Sequence, residues 1–185
     1  IHSFPTRRSS DLQCVIASNT SSLSITELAA GVNAPERFIG LHFFNPVPVM
    51  GLIEVIRGLQ TSDKTHAQAI KLAQHLGKTA ITAGNRPGFV VNRILVPMIN
   101  EAILVFQEGL ASAEDIDAGM CLGCNQPIGP LALADLIGLD TLLAILEAFY
   151  EGFQDSKYRS ASLLKEMVAA GYLGRKSGRG FHTYG

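Results

Sequence analysis

Hydrophobic and polar positions along the 185-residue chain fall into two regimes. As far as about residue 86, short apolar runs alternate with one clear stretch of helical spacing. The run CVIAS from Cys14 reads as a buried parallel strand within Gln13 to Ser18. Asn19, Thr20 and Ser21 break it, and Ser24 or Thr26 can cap a helix over Ile25 to Ala30 that Gly31 closes. A second apolar run, Phe38 to Phe44, stops at Asn45, Pro46 and Pro48, because proline cannot continue a sheet ladder. A third run follows at Leu52 to Arg57. Ala67, Ile70, Ala73 and Leu76 then recur three or four apart, predicting a helix over Lys64 to Leu76 with Gly77 at its end. Thr79 to Thr82 reads as a last strand. Such alternation predicts part of a doubly wound α/β domain.

The pattern changes after the turn at Gly84, Asn85 and Pro87. A helical stretch runs from Phe89 to Glu108, with Pro97 inside it as a predicted kink. Val91, Leu95, Met98, Ala102, Val105 and Phe106 mark one face, while Ile94, Ile99 and Ile103 spread around the side, so this helix is expected to be covered from more than one direction. Further helices are predicted at Ala113 to Leu122, Leu131 to Ile137, Asp140 to Phe153 and Ser162 to Ala170. The expected organisation is therefore an α/β part over 13–86 and an all-α part over 87–185. Residues 1–12, IHSFPTRRSSDL, match neither periodicity and are expected to be a non-native or disordered leader.

Composition narrows the function classes. With 47% apolar and 17% charged residues the chain can fill packed domains, and a formal charge of −1 with no long basic cluster argues against nucleic acid or an anionic membrane surface as partner. No apolar run approaches the roughly 18 residues needed to span a bilayer. Three cysteines, Cys14, Cys121 and Cys124, are too few for a disulfide framework and suit a reducing, cytoplasmic setting. Cys121 and Cys124 form a C-x-x-C, but no second ligand pair accompanies it, so they read as ordinary thiols and no metal site is expected.

Two short strands joined by a stiff loop can bring together residues twelve positions apart, here His42 and Glu54. An imidazole titrating near pH ~6.5 can take and return a proton, and a carboxylate beside it fixes the tautomer and stabilises the imidazolium that forms. Taken alone, a histidine in an apolar strand is more often a satisfied core residue, and a glutamate at a strand end is more often solvated. Glu54, however, lies between Ile53 and Val55, where a buried carboxylate needs a partner. A dinucleotide site would also want G-x-G-x-x-G after a strand and an acidic residue about 20 positions on, and the chain has neither; Gly174, Gly178 and Gly180 neither follow a strand nor open a helix.

LHFFNPVPV from Leu41, with ASNTSSL at 17–23 and PGFVVNR at 87–93, resembles the 3-hydroxyacyl-CoA dehydrogenase family over about Gln13 to Gly185. The resemblance implies a partial Rossmann-like nucleotide-binding domain followed by an all-α helical domain like the C-terminal domain of 6-phosphogluconate dehydrogenase. It also implies reversible oxidation of a (3S)-3-hydroxyacyl-CoA to the 3-oxoacyl-CoA with NAD or NADP, in fatty acid or butanoate metabolism. His42 would then be the base and Glu54 its partner, with Ser21, chosen over Ser22, and Asn92 orienting the substrate's 3-oxygen. Asn19, Ser21, Asn45 and Lys176 would face the cofactor, Pro46 would hold that loop, and Gly88 would allow a close backbone approach or a tight helix start. The family dimerises through its helical domain, so a homodimer is expected. Most of the cofactor half is expected upstream of Gln13, and the chain alone is expected to be inactive. The competing readings are a non-catalytic dimerisation module and a hydroxy-acid dehydrogenase whose substrate lacks CoA.

Overall fold

The computed structural model describes residues 14–21 and 23–185, which form two compact units, one ending at Phe89 and one beginning at Val90. The predicted leader over 1–12 lies outside the described residues, and so does Ser22.

The first unit is a four-stranded sheet in the order β1-β2-β3-β4, with β1 Ile16–Ser18, β2 Phe38–Phe43, β3 Leu52–Arg57 and β4 Thr79–Gly84. β1 runs parallel to β2, β2 antiparallel to β3, and β3 parallel to β4, so the sheet is mixed. Side chains alternate across it as a period of two requires. Ile39, Leu41, Ile53 and Val55 meet Ala69 and Ala73 of α2 (Asp63–His75) on one face. Phe38 and Ile56 meet Ile25 and Ala29 of α1 (Ile25–Ala30) on the other. Gly40 is what lets α1 approach, since a Cβ there would lie 2.8 Å from Ile25 Cδ1. β1 departs from the expectation of a buried strand: Ala17 is exposed and its neighbours are half-buried, because β1 pairs on one side only among the described residues.

The local ends follow from capping chemistry. Ser24 and Ser62 accept hydrogen bonds from Glu27 N and Thr65 N, at the starts of α1 and α2. Asn85, in the turn after β4, adds a long-range cap: its Oδ1 accepts from Ile25 N at 2.8 Å, and its amide nitrogen donates to Ser24 Oγ and Thr26 Oγ1. Thr61 Oγ1 donates to Phe38 O and so ties the loop after β3 to the start of β2.

The second unit is built around α3 (Val91–Gln107), with α4 (Ala113–Cys124), α5 (Pro130–Ile137), α6 (Leu139–Phe153) and α7 (Ser162–Ala169). α3 is one helix that includes Pro97. Its fully buried stripe is Val96, Ile99, Asn100, Ala102 and Ile103, which corrects the predicted face. Leu95, Met98, Val105 and Phe106 are only partly buried, because neighbouring helices cover two sides of α3 unequally. Ile99, Ile103, Leu131, Leu139, Leu142, Leu146 and Leu164 form the centre of the core. Its last turns close through isolated bridges pairing Arg179 with Gly174 and with Thr183.

Candidate active site

The antiparallel register of β2 and β3 sets His42 directly opposite Glu54. Both belong to the face that carries Phe38 and Ile56, and a slip of one residue would turn one of them to the other face. His42 Nδ1 lies 2.7 Å from Glu54 Oε2, with His42 at 4% and Glu54 at 0% exposure. A carboxylate taken wholly out of water is tolerable only against a hydrogen-bonded partner, and the imidazole supplies it. With the carboxylate ionised, Nδ1 carries the ring proton and Nε2 carries the lone pair, so Nε2 is the atom able to accept a proton from a ligand.

Two aromatic rings frame the imidazole. Phe44 lies at 4.6 Å between centroids and Phe89 edge-on at 5.6 Å. Phe89 adopts φ +48 and the preceding Gly88 φ +76, a backbone that most residues resist and glycine accepts, so the P-G-F turn holds the ring where an ordinary helix start would not. The role of Phe89 was not legible from apolar periodicity; the glycine before it was the available signal.

The loop between the two strands is pinned at several points. Val49 N and Met50 N both donate to Pro46 O, Thr79 N donates to Gly51 O, and Lys78 Nζ donates to Val47 O and Met50 O at 2.7 Å each. Asn45 is exposed at the start of this loop, joined to Pro46 by a cis peptide. Asn19 Oδ1 accepts from Phe43 N at 3.0 Å, which fastens the segment after β1 to the end of β2. Ser21 is exposed in the same segment. Since β1 and β2 are parallel, Asn19, Ser21, His42 and Asn45 all emerge at strand C-terminal ends, the edge at which open α/β sheets bind ligands.

The remaining predicted residues belong to the second unit. Asn92 is half-buried in the first turn of α3. Lys176 donates to both carboxylate oxygens of Asp140, at 2.5 and 2.6 Å. The Lys176 hydrogen bond is the largest cause holding the Asp140 carboxyl below its ordinary range. A lowered carboxyl pKa contributes stability above the unfolded value and loses it as pH falls through the folded value. Because both side chains are nearly half exposed, Asp140→Asn is expected to cost under about 1 kcal/mol at neutral pH. Urea unfolding should show that difference shrinking toward zero in acid; a difference independent of pH would refute the ion pair as its source.

A polar network not legible in the sequence joins α4, α5 and the last turns of the chain. Asp117 of α4 accepts from Leu131 N and Ala132 N at 2.8 and 2.9 Å, capping α5 from outside, and lies 2.8 Å from His182 Nε2. Asp135, at 1% exposure, accepts from Phe181 N, His182 N and Tyr184 Oη. The acceptors that hold Phe181 to Tyr184 lie more than forty positions earlier in the chain, a separation at which the sequence gives no sign of the pairing.

Known proteins resemble the chain over most of its length. Residues 7–86 match the profile described as the 3-hydroxyacyl-CoA dehydrogenase NAD binding domain, and residues 88–184 match that of the C-terminal domain. A probable 3-hydroxybutyryl-CoA dehydrogenase of Bacillus subtilis is 59% identical over 92% of this chain and 59% of its own length. The human mitochondrial hydroxyacyl-coenzyme A dehydrogenase is 44% identical over 92% of this chain and 54% of its own. The crystal structure of (S)-3-hydroxybutyryl-CoA dehydrogenase from Ralstonia eutropha superimposes with a TM-score of 0.91 at 68% identity, covering 92% of this chain and 60% of that one. The chain thus spans less than two thirds of the length of these relatives. Matched across both of its units, it belongs to the 3-hydroxyacyl-CoA dehydrogenase family.

Proposed function

We propose that the chain carries the acid–base pair and the helical part of an NAD- or NADP-dependent dehydrogenase that interconverts (3S)-3-hydroxyacyl-CoA and 3-oxoacyl-CoA. The observation that carries the reading is the buried His42–Glu54 pair at 2.7 Å, in a chain whose relatives bear that activity in their names. His42 Nε2 takes the proton of the 3-hydroxyl and returns it in the reverse direction. Glu54 keeps the ring in that tautomer and offsets the positive charge that develops. Ser21 and Asn92 donate to the 3-oxygen as it becomes a carbonyl, and Phe44 and Phe89 keep water from the ring. When bound, NAD or NADP supplies the hydride acceptor.

The residues present fit the nicotinamide end of such a cofactor: Asn19, Ser21 and Asn45 offer amides and a hydroxyl beside strand C-terminal ends, and Lys176 would supply a cation. The pyrophosphate end needs a glycine loop between a strand and a helix, and no described residues form one. Two quaternary and cellular assignments accompany this reading. A second copy would pack on the helical unit, where Met98, Ala102, Val105, Ile116 and Met120 line an apolar hollow of about 410 Å³. A cytoplasmic location is supported by three free cysteines; among the described residues no helix is long and apolar enough to cross a membrane.

The test is turnover by the complete enzyme, followed by the absorbance of the reduced nicotinamide. (3S)-3-Hydroxybutyryl-CoA is expected to be oxidised and the free 3-hydroxy acid to be left untouched. Turnover of the free acid in preference to the thioester would overturn the substrate assignment.

A further inference from the structure

The second unit contains a cavity of about 760 Å³ between the side of α3 and the segment that links α6 to α7. Four cationic side chains line it, Arg93, Lys157, Arg159 and Lys165, against one lining carboxylate, Glu101. Lys157 is 3.4 Å from Asp155, which removes part of that excess but leaves the wall cationic. For a chain whose formal charge is −1 this is a local concentration of one sign, and a concave low-dielectric wall focuses its field.

Arg93 shows what the cavity is built to meet. Its guanidinium is stacked 3.6 Å from the Phe153 ring centroid and 4.5 Å from that of Tyr158, so its plane is fixed before any ligand arrives. Its Nη1 is nevertheless buried and has no hydrogen-bond acceptor. That atom is closed to solvent and to the cavity alike, so what Arg93 gives the wall is its charge and a guanidinium plane already fixed by stacking. The opposite wall is held too. Asn100 Oδ1 accepts from Ala161 N and its amide donates to Arg159 O, while Gln107 Oε1 accepts from Leu163 N and Ser162 Oγ. Arg159 and Lys165 themselves are exposed and project from this pinned wall, with the hydroxyls of Ser156 and Ser160 beside them.

We propose that this cavity binds a phosphoryl-bearing anion. Planar guanidinium groups match phosphate oxygens in pairs, lysines add point charge, and hydroxyls complete the donor set. The volume exceeds that of a single phosphate and accommodates a phosphorylated small molecule. Two sources share this chemistry, a free phosphorylated metabolite and the nucleotide tail of a CoA thioester.

Titration of the chain with inorganic pyrophosphate, read by calorimetry and by ³¹P NMR, tests the site without recourse to turnover. Saturable binding is expected. The double variant Arg159→Gln, Lys165→Gln, altered at exposed positions that do not build the core, should weaken it at least about tenfold; Lys71→Gln, on an exposed turn of α2, should leave it unchanged. Displacement by CoA but not by pantetheine would support the site and assign the nucleotide tail as its ligand, whereas displacement by neither would support it as a site for a separate phosphorylated metabolite. Absence of saturable binding, or equal weakening by Lys71→Gln, would overturn the proposal. Because no arm depends on hydroxyacyl oxidation, its failure leaves the dehydrogenase reading standing, and the reverse also holds.

Discussion

His42→Gln in the complete enzyme is expected to lower kcat by about a thousandfold, near 4 kcal/mol of transition-state stabilisation, with KM for the thioester changed by no more than a few-fold. Glutamine keeps a polar group opposite Glu54 on the neighbouring strand, so the sheet and the binding surface survive while the proton acceptor is lost. Glu54→Gln should cost less, about 10- to 100-fold, because the ring remains but its tautomer and its developing charge are no longer fixed. A fully active Glu54→Gln enzyme would refute the pairing, and a His42→Gln enzyme with raised KM and intact kcat would recast His42 as a binding residue.

How much of this was legible beforehand depends on the range over which each interaction acts. Apolar runs at Phe38 to Phe44 and Leu52 to Arg57, separated by prolines, gave both strands. The sequence could not settle whether residue 42 faces residue 54, since register rests on the turn, and the turn is held by Lys78 from the far side of α2. Helix starts were legible where a serine precedes the periodic run, as at Ser24. The starts of α5 and α7 were placed to within one residue by periodicity, but their caps, Asp117 and Gln107 from other helices, were not legible.

The same distinction explains the two corrections. A short apolar run reads as buried whichever strand it becomes, yet β1 has one described neighbour and so shows Ala17 to solvent. α3 is apolar nearly all round, and a period of 3.6 cannot rank faces that are all apolar. Only the packing of the neighbouring helices selects Val96, Ile99, Asn100 and Ile103 as the innermost stripe. Asn100 is tolerated in that stripe because the chain returns about sixty positions later and presents Arg159 O and Ala161 N to it.

Asp135→Ala is expected to be the most destabilising single change in the helical unit, by about 3–5 kcal/mol in urea unfolding. Three donors converge on one buried carboxylate, and removing it leaves Phe181 N, His182 N and Tyr184 Oη without their acceptor. The backbone has been shaped around this group: a Cβ on Gly180 would lie 1.8 Å from Asp135 Oδ1, and one on Gly174, at φ +88, would lie 2.3 Å from Asp135 O. Gly180→Ala should therefore destabilise by a comparable route, pushing the segment away from the acceptor that holds it. Tyr184 provides a local readout. Burial, and after it the Asp135 hydrogen bond, raise its pKa above the ordinary value of 10.0, so its contribution is present at neutral pH and is lost as pH rises through the raised pKa. In Asp135→Ala the phenol should titrate closer to its ordinary range, and a double-mutant cycle with Tyr184→Phe should show coupling of about 1 kcal/mol. Independent effects in that cycle, or an Asp135→Ala protein as stable as the parent, would mean that Asp135 does not anchor the segment carrying Lys176.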